Sequence, residues 1–128
     1  MSEKKKILFV DDDAIQHAIA ENMLKDDYEV FKAKSGSEAL QYLYSNEFIP
    51  NLILLDIMMP DMDGWEVFNR IRGISLLKKV PIAFITALTE SSDEKRAFEI
   101  GADDYIRKPY EKEDLLNRIK IVLDKASE

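Results

Sequence analysis

Four places in the chain set a charged or hydroxyl side chain just after a short apolar run. Asp11-Asp12-Asp13 follows residues 7–10, Asp56 follows 51–55, and Thr86 follows 82–85. Lys108-Pro109 comes just after 104–106. Carboxylates gathered at one point repel and raise one another's pKa unless something neutralises them. A hard divalent cation does so through oxygen ligands, and Mg²⁺ uses one or two carboxylates together with waters and phosphate oxygens. With a lysine and a hydroxyl donor close by, such a nest can accept a phosphoryl group. A carboxylate attacks, while the metal, Lys108 and Thr86 offset charge on the equatorial oxygens. The plainer role for an aspartate after a strand is to cap the next helix, and Asp13 on its own fits that equally well.

The elements must bring these residues together. Residues 7–10, 29–33, 51–55, 82–85 and 104–106 read as strands, several of them continuous apolar runs as in strands buried on both faces. Helical spacing lies between them. The first helix shows Ile15, Ala18, Ile19, Asn22 and Met23 at i, i+3, i+4, i+7 and i+8, an expected inward stripe. Residues 35–44 place Ala39, Leu40 and Leu43 inward, and 64–72 form a short helix. Ser91-Ser92-Asp93-Glu94 has capping-box spacing, and Gly101 suits a left-handed helix end. Leu115, Leu116, Ile119, Val122 and Leu123 form the last stripe. Alternating strands and helices predict an α/β fold with a parallel sheet and helices on both faces. Ligands of such sheets bind beyond the strands' carboxyl ends, where strand order reverses. If the first and third strands are neighbours, Asp11, Asp12 and Asp56 converge there.

The 128 residues suit one domain, residues 1–128, with no repeat or linker-like stretch. The net charge of −7 argues against direct nucleic-acid binding. The absence of cysteine removes disulfides and thiolate chemistry, and a single histidine, His17, rules out a two-histidine zinc site. His17 reads as an outer-flank residue of the first helix. No apolar run approaches the roughly 18–20 residues that span a bilayer, so the expected location is cytoplasmic, with no membrane partner.

Together these segments resemble the receiver domain of two-component response regulators. Val10-Asp11-Asp12 is similar to that family's acidic pair, and residues 55–64 (LDIMMPDMDG) to its phosphoacceptor segment. Thr86-Ala87 is similar to its hydroxyl–small pair, and residues 105–110 (YIRKPY) to its Tyr-x-x-Lys-Pro-aromatic segment. The resemblance covers about residues 5–125. It implies a flavodoxin-like, doubly wound (βα)5 fold with strand order 2-1-3-4-5. It implies Asp56 as the phosphorylated nucleophile, with Asp12, Asp56 and the Met58 carbonyl binding Mg²⁺ (or Mn²⁺) and Asp11 acting largely through water. Lys108 would pair with the phosphoryl group, ahead of a cis bond to Pro109. Thr86 and Tyr105 would be the switch pair, Tyr105 rotating into space vacated by the Thr86 hydroxyl. That movement would remodel the fourth helix, fifth strand and fifth helix. The implied donor is a sensor histidine kinase or a histidine phosphotransfer protein. Alternating charge in the last third (Lys95, Arg96, Asp103, Asp104, Arg107, Arg118) is compatible with a homodimer through that face or with an ordinary solvated surface.

Several rivals fit less well. A flavin or nucleotide site wants Gly, Ser or Thr amides after the first strand, not three aspartates. A phosphohydrolase built on Asp11-x-Asp13 matches only three residues and leaves no room for a substrate cap. An interaction module that never turns over phosphate usually lacks the acceptor or the lysine, and both are present. An EF-hand reading of Asp61-Met62-Asp63-Gly64 puts Met59 and Arg70 at ligand positions and fails. The domain would catalyse only its own phosphorylation and dephosphorylation. It is either a free-standing receiver or a piece of a longer regulator.

Overall fold

The computed structural model describes residues 3–45 and 48–127. Strands and helices alternate in the order β1 (Lys5–Val10), α1 (Ala14–Leu24), β2 (Tyr28–Ala33), α2 (Gly36–Tyr44), β3 (Leu52–Leu55) and α3 (Gly64–Arg72). A short 3-10 turn at Ser75–Leu77 leads to β4 (Ile82–Thr86), α4 (Ser91–Glu99), β5 (Asp104–Arg107) and α5 (Lys112–Ala126). All five strands pair in parallel, in the expected order β2-β1-β3-β4-β5.

Strand alternation sorts the core into two layers. Leu8, Val10, Ile53, Leu55 and Phe84 face α2, α3 and α4; Ile7, Phe9, Leu52, Leu54 and Ile85 face α1 and α5. β3 and β4 are buried at every position, which explains sequences that are apolar up to Thr86 at the end of β4. The expected inward residues of α2 (Ala39, Leu40 and Leu43) are buried, as are Leu115, Ile119, Val122 and Leu123 of α5. Gly101 ends the α4 region with φ +103°, a conformation that favours glycine.

Three expectations fail. The buried residues of α1 are His17, Ala20 and Leu24, while Ile15, Ala18, Ile19 and Asn22 face solvent. The Asp13 carboxylate caps the helix by accepting from the Ile15 amide at 2.9 Å, and the observed phase turns Ala20 toward the sheet. His17 therefore lies inside, only 4% exposed, not on the outer flank. The capping box at Ser91 does not form: α4 is preceded by Glu90, whose side chain makes no capping bond. Ser91 is already inside the helix, so its hydroxyl is past the position from which it could cap.

Candidate functional site

The sheet ladder runs one step past three strands and pins the residues that follow. The Asp11 amide donates to the Ala33 carbonyl (3.1 Å), Asp56 to Val10 (2.9 Å) and Lys108 to Thr86 (2.9 Å). Asp11, Asp56 and Lys108 thus inherit the rigidity of the core. The loop after β3 is fixed further by the Gly64 amide, which donates to the Ile57 carbonyl at 2.8 Å. A Cβ on Gly64 would sit on the Asp56 carbonyl oxygen and 2.7 Å from Ile57 Cα, so glycine lets α3 begin directly beneath the Asp56 backbone. The Lys108–Pro109 peptide bond is cis.

At this edge Asp11, Asp12 and Asp56 come together. One carboxylate oxygen from each lies within 4.8 Å of the others. An octahedral Mg²⁺ with bonds of about 2.0–2.1 Å sets its ligand oxygens about 3–4 Å apart, so small side-chain adjustments suit this donor set to a hard cation. Asp12 is exposed, whereas Asp11 and Asp56 are buried. Lys108 reaches across, its Nζ 2.6 Å from Asp11 Oδ2 and 3.3 Å from Asp56 Oδ2. The Asp13 amide donates to Asp11 Oδ1 (2.9 Å), and the Ile57 amide donates to Asp56 Oδ1 (2.8 Å). Burial pushes the Asp56 carboxyl up; Lys108 pulls it back, and neighbouring Asp11 adds to the rise. Three carboxylates against one ammonium leave the nest short of positive charge, with Asp56 Oδ2 facing the lysine.

Thr86 is fully buried at the end of β4, its Oγ1 accepting from the Leu88 amide at 3.3 Å. Tyr105 lies inward already, 3% exposed, and its hydroxyl donates to the Leu88 carbonyl at 3.1 Å. Both switch candidates therefore hold the same short loop between β4 and α4. Burial raises the Tyr105 hydroxyl, and Asp93 adds to it. Met58 extends into solvent, 63% exposed, so its side chain is no part of the nest. Of the charges singled out in the last third, Arg107 pairs with Glu94 (2.8 Å), and Arg118 with Asp104 (3.1 Å) and Asp114 (3.1 Å).

The residue sequence reasoning missed is His17. Its Nε2 lies 2.7 Å from the Asp11 carbonyl oxygen, and its ring meets Phe9 edge-on at 5.0 Å. The signal was present in the spacing of His17, Ala20 and Leu24 at i, i+3 and i+7, but a histidine scores as polar in an apolar stripe.

Comparison with known proteins agrees with this geometry. The probable transcriptional regulator ycf27 of Porphyridium aerugineum is 44% identical over 129 residues, covering 98% of this chain and 52% of that protein. The chain thus spans about half the length of this curated relative. Among solved structures, the CheY-like response regulator receiver domain protein of Methanospirillum hungatei superposes with a TM-score of 0.87. It shares 32% identity, with 98% of each chain covered. The Mn(2+)-bound form of response regulator Rcp1 superposes with a TM-score of 0.75 at 30% identity, covering 94% of this chain and 90% of that one. Residues 7–120 match the response regulator receiver domain family, and the chain belongs to it.

Proposed function

We propose that this receiver domain, taken as one unit over residues 1–128, accepts a phosphoryl group on Asp56 with the help of Mg²⁺. The donor is a sensor histidine kinase or a histidine phosphotransfer protein in the cytoplasm. The observation that carries the reading is the meeting of Asp11, Asp12 and Asp56 within 4.8 Å, with Lys108 Nζ 3.3 Å from Asp56 Oδ2. The Mn²⁺ held by Rcp1 supports a divalent ion in this chain too. Asp11, Asp12, Asp56 and the Met58 carbonyl would hold the ion, which screens charge on the phosphoryl oxygens when bound. The Asp56 carboxylate attacks phosphorus as the bond to the donor breaks. Lys108 shifts from Asp11 toward the new phosphoryl oxygens, and the Thr86 hydroxyl donates to one of them.

The phosphoryl group carries about −1.5 to −2 charges in place of the carboxylate's single one, together with strong acceptor oxygens. Drawing Thr86 toward the phosphoryl group releases the Leu88 amide, and Tyr105 loses a fixed partner in the same loop. The surface of α4, β5 and α5 is then remodelled for an output partner or a second copy of this chain. We place that output in transcription, after the name of the relative that is twice as long. Intact-mass measurement after incubation with a small phosphodonor and Mg²⁺ tests the reading. The parent gains one phosphoryl group and Asp56→Asn gains none; a gain that survives in Asp56→Asn overturns the acceptor assignment.

A further inference from the structure

Two side-chain polar atoms among the described residues are buried without a hydrogen-bond partner, His17 Nδ1 and the Tyr110 hydroxyl. Native folds pair almost all such atoms, so two orphans in one region demand an account. Both lie on the α1–α5 side of the sheet. His17 packs edge-on against Phe9, and Tyr110 packs against the cluster that contains Phe9. His17 also bonds the Asp11 carbonyl, and the Tyr110 hydroxyl lies within reach of the Asp11 charge. The Asp11 carbonyl can only accept, so His17 Nε2 carries the proton in the 2.7 Å bond. In the neutral ring Nδ1 is then a bare acceptor. The Tyr110 hydroxyl is a donor throughout the working pH range: burial pushes it up to about 12, with Asp11 adding to the rise. One orphan needs a proton and the other has one to give.

We propose that His17 and Tyr110 are a positioning pair for Asp11, joined by one buried water that accepts from the Tyr110 hydroxyl and donates to His17 Nδ1. The link ties α1, through the residue that bonds the Asp11 backbone, to the segment after Pro109. Neither residue touches the phosphoryl group. They act by fixing the Asp11 backbone and, through it, the direction of the carboxylate. The proposal rests on the receiver reading only for the role of Asp11 in Mg²⁺ binding.

A double-mutant cycle combined with calorimetric Mg²⁺ titration tests it. An isolated buried hydroxyl is a cost, so Tyr110→Phe would raise Tm if the group were an orphan. A hydroxyl paired through water is a gain, so we expect Tyr110→Phe to lower Tm by about 2–6 °C. In the His17→Phe background the same change should raise Tm or leave it unaltered. His17→Phe should also weaken Mg²⁺ binding by about 3–10-fold, in line with other groups that orient a metal ligand. His17→Gln keeps a donor near the Nε2 position and should restore most of that affinity. Tyr110→Phe raising Tm in the parent, additive effects in the cycle, or parental Mg²⁺ affinity in a folded His17→Phe each overturn the pair. A parent that takes up no Mg²⁺ overturns the receiver reading instead, and the Tm cycle then still decides the pair.

Discussion

Asp56 is held between opposing influences. Its folded-state pKa stands above the unfolded value, because burial outweighs the help that Lys108 gives. The charged form is thus the one the fold disfavours, and the penalty is present above the folded pKa and absent below the unfolded one. With chelator present, Asp56→Asn should be more stable than the parent at neutral pH. The gap should close as pH falls through the carboxylate range; urea unfolding at several pH values reads it. Met58 is exposed beside the nest and cannot orient a water by hydrogen bonding. Met58→Asn should therefore lose aspartyl phosphate faster, by about 10-fold if one oriented water is worth one hydrogen bond. Timed loss of the phosphoryl mass checks this, and equal or slower decay in the variant refutes it.

The helices show what patterning can and cannot disclose. α2 and α5 were legible because their apolar residues form one clear stripe, and β3 and β4 because burial on both faces leaves no polar position before Thr86 at the end of β4. α1 departs from its pattern because the stripe of Ile15 and Ile19 lies outside, while His17, Ala20 and Leu24 do the packing. Periodicity reports that one face is apolar, not which neighbour it meets. Chemical denaturation should separate the two faces. Ile19→Lys should alter stability by less than about 0.5 kcal/mol, whereas Leu24→Ala should cost about 2–5 kcal/mol. The missing cap on α4 has the same origin, since a box of four residues is satisfied in sequence whether or not the helix starts where the box requires.

At the scale of the molecule, the site is assembled from loops that lie far apart in sequence and close in space, Asp11 and Lys108 being 97 residues apart. The acid, hydroxyl and lysine positions were legible because each follows a recognisable strand, and the strand order places them at one edge. The support behind them was not, because His17 and Tyr110 carry no spacing signal toward Asp11. An ion that binds only the assembled edge must stabilise the whole fold by linkage. At 100 times its Kd, Mg²⁺ should add about 2.7 kcal/mol and raise Tm by several degrees. Asp12→Asn should largely lose that rise in thermal scans.

The floor under Asp56 is solid and its flank is not. The first turn of α3 abuts the main chain of Asp56 itself, with no room even for a methyl group. α4 buries Ala97 alone and is otherwise moored by ties such as Arg107–Glu94 and Arg96 lying over the Trp65 ring at 4.1 Å. Under the proposed phosphorylation of Asp56, displacement is therefore expected on the α4 side, where few buried contacts resist it, and not beneath the carboxylate.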